Sequence, residues 1–203
     1  MRGLLKMKSN IKIPKEAENI INRLNEFGYQ AYVVGGCVRD SILGRIPNDW
    51  DICTSALPDK VIEIFSDYEV IPTGLKHGTV TIVVDHTPYE ITTFRIDGDY
   101  SDSRRPDSVE FTTDIIQDLS RRDFTINAMA YNPQVGLIDP YNGKKDIQFK
   151  VIRCVGNADD RFNEDALRII RALRFASVYD FMIKCDSTSP ESAIISVSPF
   201  AFS

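Results

Sequence analysis

The sequence predicts an α+β fold, a mixed sheet with flanking helices that gives way to a helical segment. Three observations predict it. Strand-like and helix-like stretches alternate up to about residue 150. Two apolar, β-branched runs, Thr79 to Val84 and Tyr89 to Arg95, flank the turn-like Asp85-His86-Thr87-Pro88. Residues 162–176 are strongly helical, so the pattern becomes pure helix after the mixed part.

The elements follow in order. Ala17, Ile20, Ile21, Leu24 and Phe27 recur at helical spacing over residues 15–27, with Pro14 placed to start that helix and Gly28 to end it. Ala31 to Val34 is a short apolar strand; Gly35-Gly36 turns it into a helix from Val38 to Leu43. Asp51 to Thr54 reads as a strand, Pro58 to Phe65 as a helix, and the hairpin follows. Residues 97–108 are polar and aperiodic, which predicts an exposed, mobile loop. A helix is expected near 113–120, then the apolar segment Phe124 to Tyr131, a turn-rich stretch, and a strand at Val151 to Val155. Residues 186–203 are rich in Ser and Pro and predict an irregular tail.

Composition excludes several classes. No apolar run approaches the ~20 residues of a membrane span, and the basic N-terminus lacks the apolar core of a secretory signal. The cysteines, Cys37, Cys53, Cys154 and Cys185, form no CxxC pair, so a zinc site is not expected. They read as reduced thiols of a cytoplasmic protein. The net charge of −5 argues against nucleic-acid binding in bulk, yet arginines cluster at 104–105, 121–122 and 161–174.

Several short motifs carry candidate chemistry. Asp49 and Asp51 are two residues apart; in an extended chain both point to one face. Paired carboxylates repel unless a cation sits between them, and Mg2+ suits two hard oxygen ligands when substrate phosphates supply the rest. Two solvated turn acids are the plain alternative. Gly35-Gly36 lets a backbone approach phosphate at a helix N-terminus, with Arg39 as a charged fork; taken alone, the motif is better explained as a simple turn beside a surface arginine. Glu90, on the second hairpin strand, is either a third acid facing the pair or a surface residue. Arg121 and Arg122 beside Asp123 read as an ion-paired helix end or as a triphosphate site, with Arg122 the better candidate. Asp165 and Arg168 are spaced as helix neighbours, and form either a salt bridge or an acceptor–donor set for a base edge. Arg171 and Arg174 continue that spacing but spiral off the face.

In order, YVVGGCVRDSILGRIPNDWDICTSALP, PTGLKHGTVTIV, YEITTFRIDGDYSDSRRPDSVEF, DLSRRDFTINAMAY, LIDPYNGKKDI and RFNEDALRIIRALRFAS, spanning about residues 30–176, resemble the class II tRNA nucleotidyltransferases: the CCA-adding enzymes and the related bacterial poly(A) polymerases. The resemblance implies a DNA-polymerase-β-like nucleotidyltransferase head over residues 1–150, the start of an α-helical neck over 151–185, and the irregular tail beyond 186. It implies that Gly36 and Arg39 touch the nucleotide and that Asp49 and Asp51 bind Mg2+. Glu90 would be the third catalytic carboxylate, and Arg122 would meet the triphosphate. Asp165 and Arg168 would act as a protein template for the Watson–Crick edge of CTP or ATP, with Arg171 and Arg174 completing the nucleotide site. Residues 97–108 resemble the family's flexible loop, associated with the switch to adding A. The implied partners are CTP, ATP and the tRNA 3′ end.

The implied reaction adds C, C and A without a nucleic-acid template and releases pyrophosphate by two-metal in-line transfer. The stretch GLKHGTVTIV is closer to CCA-adding enzymes than to poly(A) polymerases. A poly(A) polymerase or A-adding relative remains open. Family members continue into a longer helical neck, body and tail that grip tRNA. The end at Ser203 therefore implies a truncated or frame-disrupted version, and a nucleotide-binding fragment without tRNA binding is a further reading.

Overall fold

In a computed structural model of the chain, the described residues are 11–98, 108–184 and the strand Ile194–Ile195. Helix α1 (Lys15–Glu26) follows Pro14 and buries Ala17, Ile20, Ile21 and Leu24, the periodic set seen in the sequence. Strand β1 (Ala31–Val34) runs into helix α2 (Gly36–Ile42) through Gly35, then come β2 (Ile52–Thr54) and α3 (Pro58–Ile64). Strands β3 (Glu69–Gly74), β4 (Thr79–Val84) and β5 (Thr87–Thr93) form a meander, and the short pair β6 (Arg95–Asp97) and β7 (Val109–Phe111) stands apart from it. Helix α4 (Ile115–Ser120) is capped by Asp114, whose side chain accepts from the Ile116 amide. A 3-10 turn at Thr125–Asn127, strands β8 (Ala130–Asn132) and β9 (Gly136–Ile138), and helix α5 (Gly143–Phe149) complete the mixed part.

Seven strands form one sheet in the order β3-β4-β5-β2-β1-β8-β9. Its pairings are antiparallel except β2 with β5, which run parallel with Ile52 opposite Ile91. Strand β1 is buried at all four residues because both faces of the sheet are covered. Ala31 and Val33 enter the larger core with α1 and α2, while Tyr32 and Val34 enter a smaller cluster with Phe94, Ile115 and Leu119. Ile52 and Ile91 belong to the larger core, so the residue before each, Asp51 and Glu90, is turned toward the opposite face.

Beyond residue 150 the chain opens on the expected strand, shortened to two residues, and departs from the helical expectation after it. Strand β10 (Val151–Ile152) leads to α6 (Ala158–Glu164), α7 (Leu167–Tyr179) and β11 (Met182–Lys184), which pairs parallel with β10. β12 (Ile194–Ile195), within the stretch expected to be irregular, pairs antiparallel with β11. The predicted single helix over 162–176 is broken at Asp165, whose backbone is extended (φ −147°, ψ 104°). Its carboxylate accepts from the Leu167 amide at 2.9 Å, a local bond that competes with helical continuity. The hairpin turn is also tighter than expected: Asp85 and His86 alone occupy left-handed conformations, and Thr87 and Pro88 join the strand. Most of the predicted loop at 97–108 lies outside the described residues. Cys37, Cys53 and Cys154 are buried. Among the described residues no helix is long and apolar enough to cross a membrane.

Candidate active site

A cavity of ≈510 Å³ opens where α2, the Arg45–Asp51 connection and α7 meet. Gly36, Arg39, Asp49, Asp51, Arg122, Arg171 and Arg174 all line it, so seven of the ten candidates from the sequence are brought together. Glu90, Asp165 and Arg168 are not part of the lining.

The acids sit at the entry to β2 rather than within it. The Asp51 carbonyl accepts from the Val34 amide at 3.0 Å, anchoring the backbone to β1 while the side chain stays open to the cavity. Parallel pairing of β2 and β5 places Glu90 beside Asp51. Confinement by protein raises the Asp51 carboxyl to about 6; Asp49 and Glu90 push it the same way, and Arg122 partly offsets them. Asp49 and Asp51, just before β2, and Glu90, on β5, therefore share one field. Among the described residues, however, no three His, Cys, Asp or Glu side chains converge closely enough to hold a metal ion. The donor set fits Mg2+ bound by two carboxylates with remaining ligands from phosphate or water, and not a closed protein cage.

The opposite wall is basic. Arg122 forms an ion pair with buried Asp118 at 3.4 Å, and its Nε has no hydrogen-bond partner among the described residues. Asp118, fully buried, accepts from Arg121 and from the Arg95 amide; burial opposes its ionisation, but the arginines hold its carboxyl below the usual range. The expected pairing of Arg121 and Arg122 with Asp123 is thus replaced by Asp118, which lies one helical turn back. Asp123 turns instead to Arg171 of α7 at 2.8 Å. Arg174 points into the same cavity and has no ion pair or hydrogen bond among the described residues.

Arg39 is more engaged than the sequence implies. It is 7% exposed; Nε and Nη2 donate to Asp40 at 3.0 Å and Nη1 donates to Asn127. Sequence reasoning missed Asp40, Asn127 and the α7 rings Phe175 and Tyr179. The string GGCVRD held Asp40 in view, but nothing local signalled its partner 139 residues away. Asp165 and Arg168 do not share a helix face as expected. Asp165 lies between α6 and α7, and Arg168 pairs with Glu164 and donates to the Arg161 carbonyl at 3.0 Å.

Gly35 joins these walls. Its φ of +79° is in the region that L side chains avoid, and a Cβ there would lie 2.9 Å from Arg122 Nη1. Gly35→Ala is therefore expected to cost about 1–2 kcal/mol and to displace Arg122 from the cavity wall. Denaturant unfolding measures the first effect, and weakened binding of inorganic tripolyphosphate the second.

The Poly A polymerase head domain family matches residues 31–153. The CCA-adding enzyme of Geobacillus thermodenitrificans (strain NG80-2) is 51% identical over 185 residues, covering 91% of this chain and 45% of the relative. That of Lactobacillus delbrueckii subsp. bulgaricus (strain ATCC 11842) is 49% identical, over 87% of this chain and 45% of the relative. The crystal structure of the Bacillus stearothermophilus CCA-adding enzyme in complex with CTP superposes with a TM-score of 0.76 at 46% identity, over 87% of this chain and 41% of that one. The Thermotoga maritima CCA-adding enzyme complexed with tRNA gives 0.69 at 30% identity, over 88% and 41%. The chain spans less than half the length of these relatives. By its own residues 31–153, the chain belongs to the Poly A polymerase head domain family.

Proposed function

We propose that the chain carries the catalytic head of a tRNA nucleotidyltransferase that adds C, C and A to tRNA 3′ ends from CTP and ATP. The observation that carries this reading is the single cavity in which Asp49 and Asp51 face Arg122, Arg171 and Arg174. An acidic floor opposite a basic wall is the electrostatic complement of a cation-bound triphosphate. Asp49 and Asp51, with Glu90 beside them, would hold Mg2+, which when bound lowers the pKa of the attacking 3′-hydroxyl and neutralises the leaving pyrophosphate.

This chain's residues do the positioning. Gly36, at the start of α2, leaves room at the helix N-terminus: a Cβ there would meet only the Arg39 guanidinium at 3.6 Å. Arg122 and Arg174 take phosphate oxygens, and Arg171 is held at the cavity edge by Asp123. Asp165 and Arg168 lie toward the N-terminal end of α7, where the base of a nucleotide whose phosphates rest on the arginines is read. Relatives whose names record CTP and tRNA support nucleotide and tRNA as the substrates.

A second reading, nucleotide binding without tRNA, is favoured by the net charge of −5, since phosphate-backbone neutralisation dominates nucleic-acid affinity. Mg2+-dependent incorporation of labelled CTP and ATP into tRNA lacking its CCA end separates the two. Incorporation is expected. Calorimetric CTP binding without incorporation or a tRNA gel shift selects the second reading, and failure to bind CTP overturns both.

A further inference from the structure

We infer that Tyr179 is a positioning residue, whose hydroxyl locks α7 to α2 in the orientation that lets the cavity take the nucleoside part of a nucleotide. The inference rests on the function proposed above. It starts from a closed circuit of contacts between elements distant in sequence. Tyr179 Oη donates to Asp40 Oδ1 at 2.9 Å. Asp40 accepts two bonds from Arg39, at 3.0 Å each. The Arg39 guanidinium lies 4.8 Å from the Tyr179 ring centroid and 5.1 Å from that of Phe175. Its third contact, to Asn127, continues through Asn127 Nδ2 to Asp123 at 3.2 Å, and Asp123 returns to α7 at Arg171.

Helix α7 is thus pinned at two points eight residues apart, about 12 Å along its axis. Arg171 marks one point and Tyr179 the other, and Arg174 projects into the cavity between them. One face of α7 is held by apolar packing: Ala172 and Ala176 are buried in the larger core, and the Phe175 ring meets Phe124 edge-on at 5.8 Å. Leu167, Ile169, Ile170, Leu173 and Val178 are all at least 42% exposed, so they contribute little burial to hold the helix down. The two polar attachments add to that packing at its ends, an ion pair at Arg171 and, at Tyr179, a charge-assisted hydrogen bond backed by stacked cations: Arg45 also sits 4.6 Å from the same ring. A phenylalanine keeps the ring against Arg39 and Arg45 and removes only the bond to Asp40. Of the phosphate-side groups, Asp49, Asp51 and Arg122 belong to other elements and do not depend on that bond, and Arg174 lies on α7 three residues from the Arg171–Asp123 attachment, which the variant leaves intact.

The test compares the chain with its Tyr179→Phe variant by calorimetric titration with CTP and, separately, inorganic tripolyphosphate, both with Mg2+. CTP binding is expected to weaken roughly five- to tenfold while tripolyphosphate binding stays within about twofold. In a double-variant cycle, Tyr179→Phe is expected to add nothing further in an Asp40→Asn background. Equal loss of both ligands shows a general structural role and overturns the inference, as does unchanged CTP affinity. If the unaltered chain binds neither ligand, the proposed function itself fails; if it binds both and the variant matches it, only the role of Tyr179 fails.

Discussion

Asp51→Asn is expected to lower Mg2+-dependent CTP affinity by ~10²-fold or more, to abolish CMP incorporation, and at the same time to raise thermal stability. The two effects have one cause. Burial first, and then the charges of Asp49 and Glu90, raise the Asp51 carboxyl from 3.8 to about 6. A carboxylate raised on folding is stabilising relative to its ionised form below pH 3.8 and loses that advantage as pH rises through about 6. At pH 7.5 the folded chain therefore bears the full penalty of the ionised acid, screened in part by the cavity's water. The asparagine removes it. Thermal melts of chain and variant are expected to diverge between about pH 4 and pH 6, the variant melting a few degrees higher above that window. A variant that melts lower at pH 7.5 would show that Asp51 is a structural acid. Activity and stability oppose each other here, as expected where like charges are gathered for a cation.

Gly143→Ala is expected to be the most destabilising single methyl in the mixed part, by about 3–5 kcal/mol. A Cβ at Gly143 would lie 2.1 Å from the Thr125 carbonyl oxygen and 2.8 Å from its carbon. The obstacle is backbone, and it has little freedom to retreat. The Thr125 amide donates to the Arg153 carbonyl at 2.9 Å, its hydroxyl donates to Asp146 at 2.6 Å, and the Asn127 amide closes the 3-10 turn onto Phe124. The Gly143 amide also donates the first capping bond of α5, to the Asp139 carboxylate at 2.7 Å. Because the same turn presents Asn127 to Arg39, the damage extends to the cavity. Urea unfolding is expected to show the loss as a lower midpoint at unchanged slope, and a variant as stable as the parent would contradict the close approach.

Local chemistry made much of this legible in advance. Helix α1 could be read because its buried residues repeat at helical spacing, and β1 with its Gly35 turn because an apolar run met a residue able to take positive φ. Asp49, Asp51, Arg122, Arg171 and Arg174 could be named, and the cavity gathers them. What stayed hidden depends on partners far along the chain. Arg39 reads as a phosphate fork until Tyr179 and Asn127 are placed around it. Asp123 reads as the partner of its neighbours until Arg171 arrives from α7. The break at Asp165 was missed for a different reason. Leu, Ile, Ala and Arg favour helix across the stretch, and one aspartate's preference for bonding the amide two residues on outweighed them. Strand β11 is three residues long and carries too little pattern to separate it from the end of a helix.

The parallel alignment of β2 with β5 also governs when the acids meet during folding. Asp51 and Glu90 are separated by the whole of α3, β3 and β4, and no hairpin can bring parallel neighbours together. Their pairing requires closure of that long loop, a slow non-local step. A cation that binds the assembled acids therefore has little grip on early, locally structured states of the chain. Mg2+ is expected to slow unfolding while leaving the rate of folding nearly unchanged.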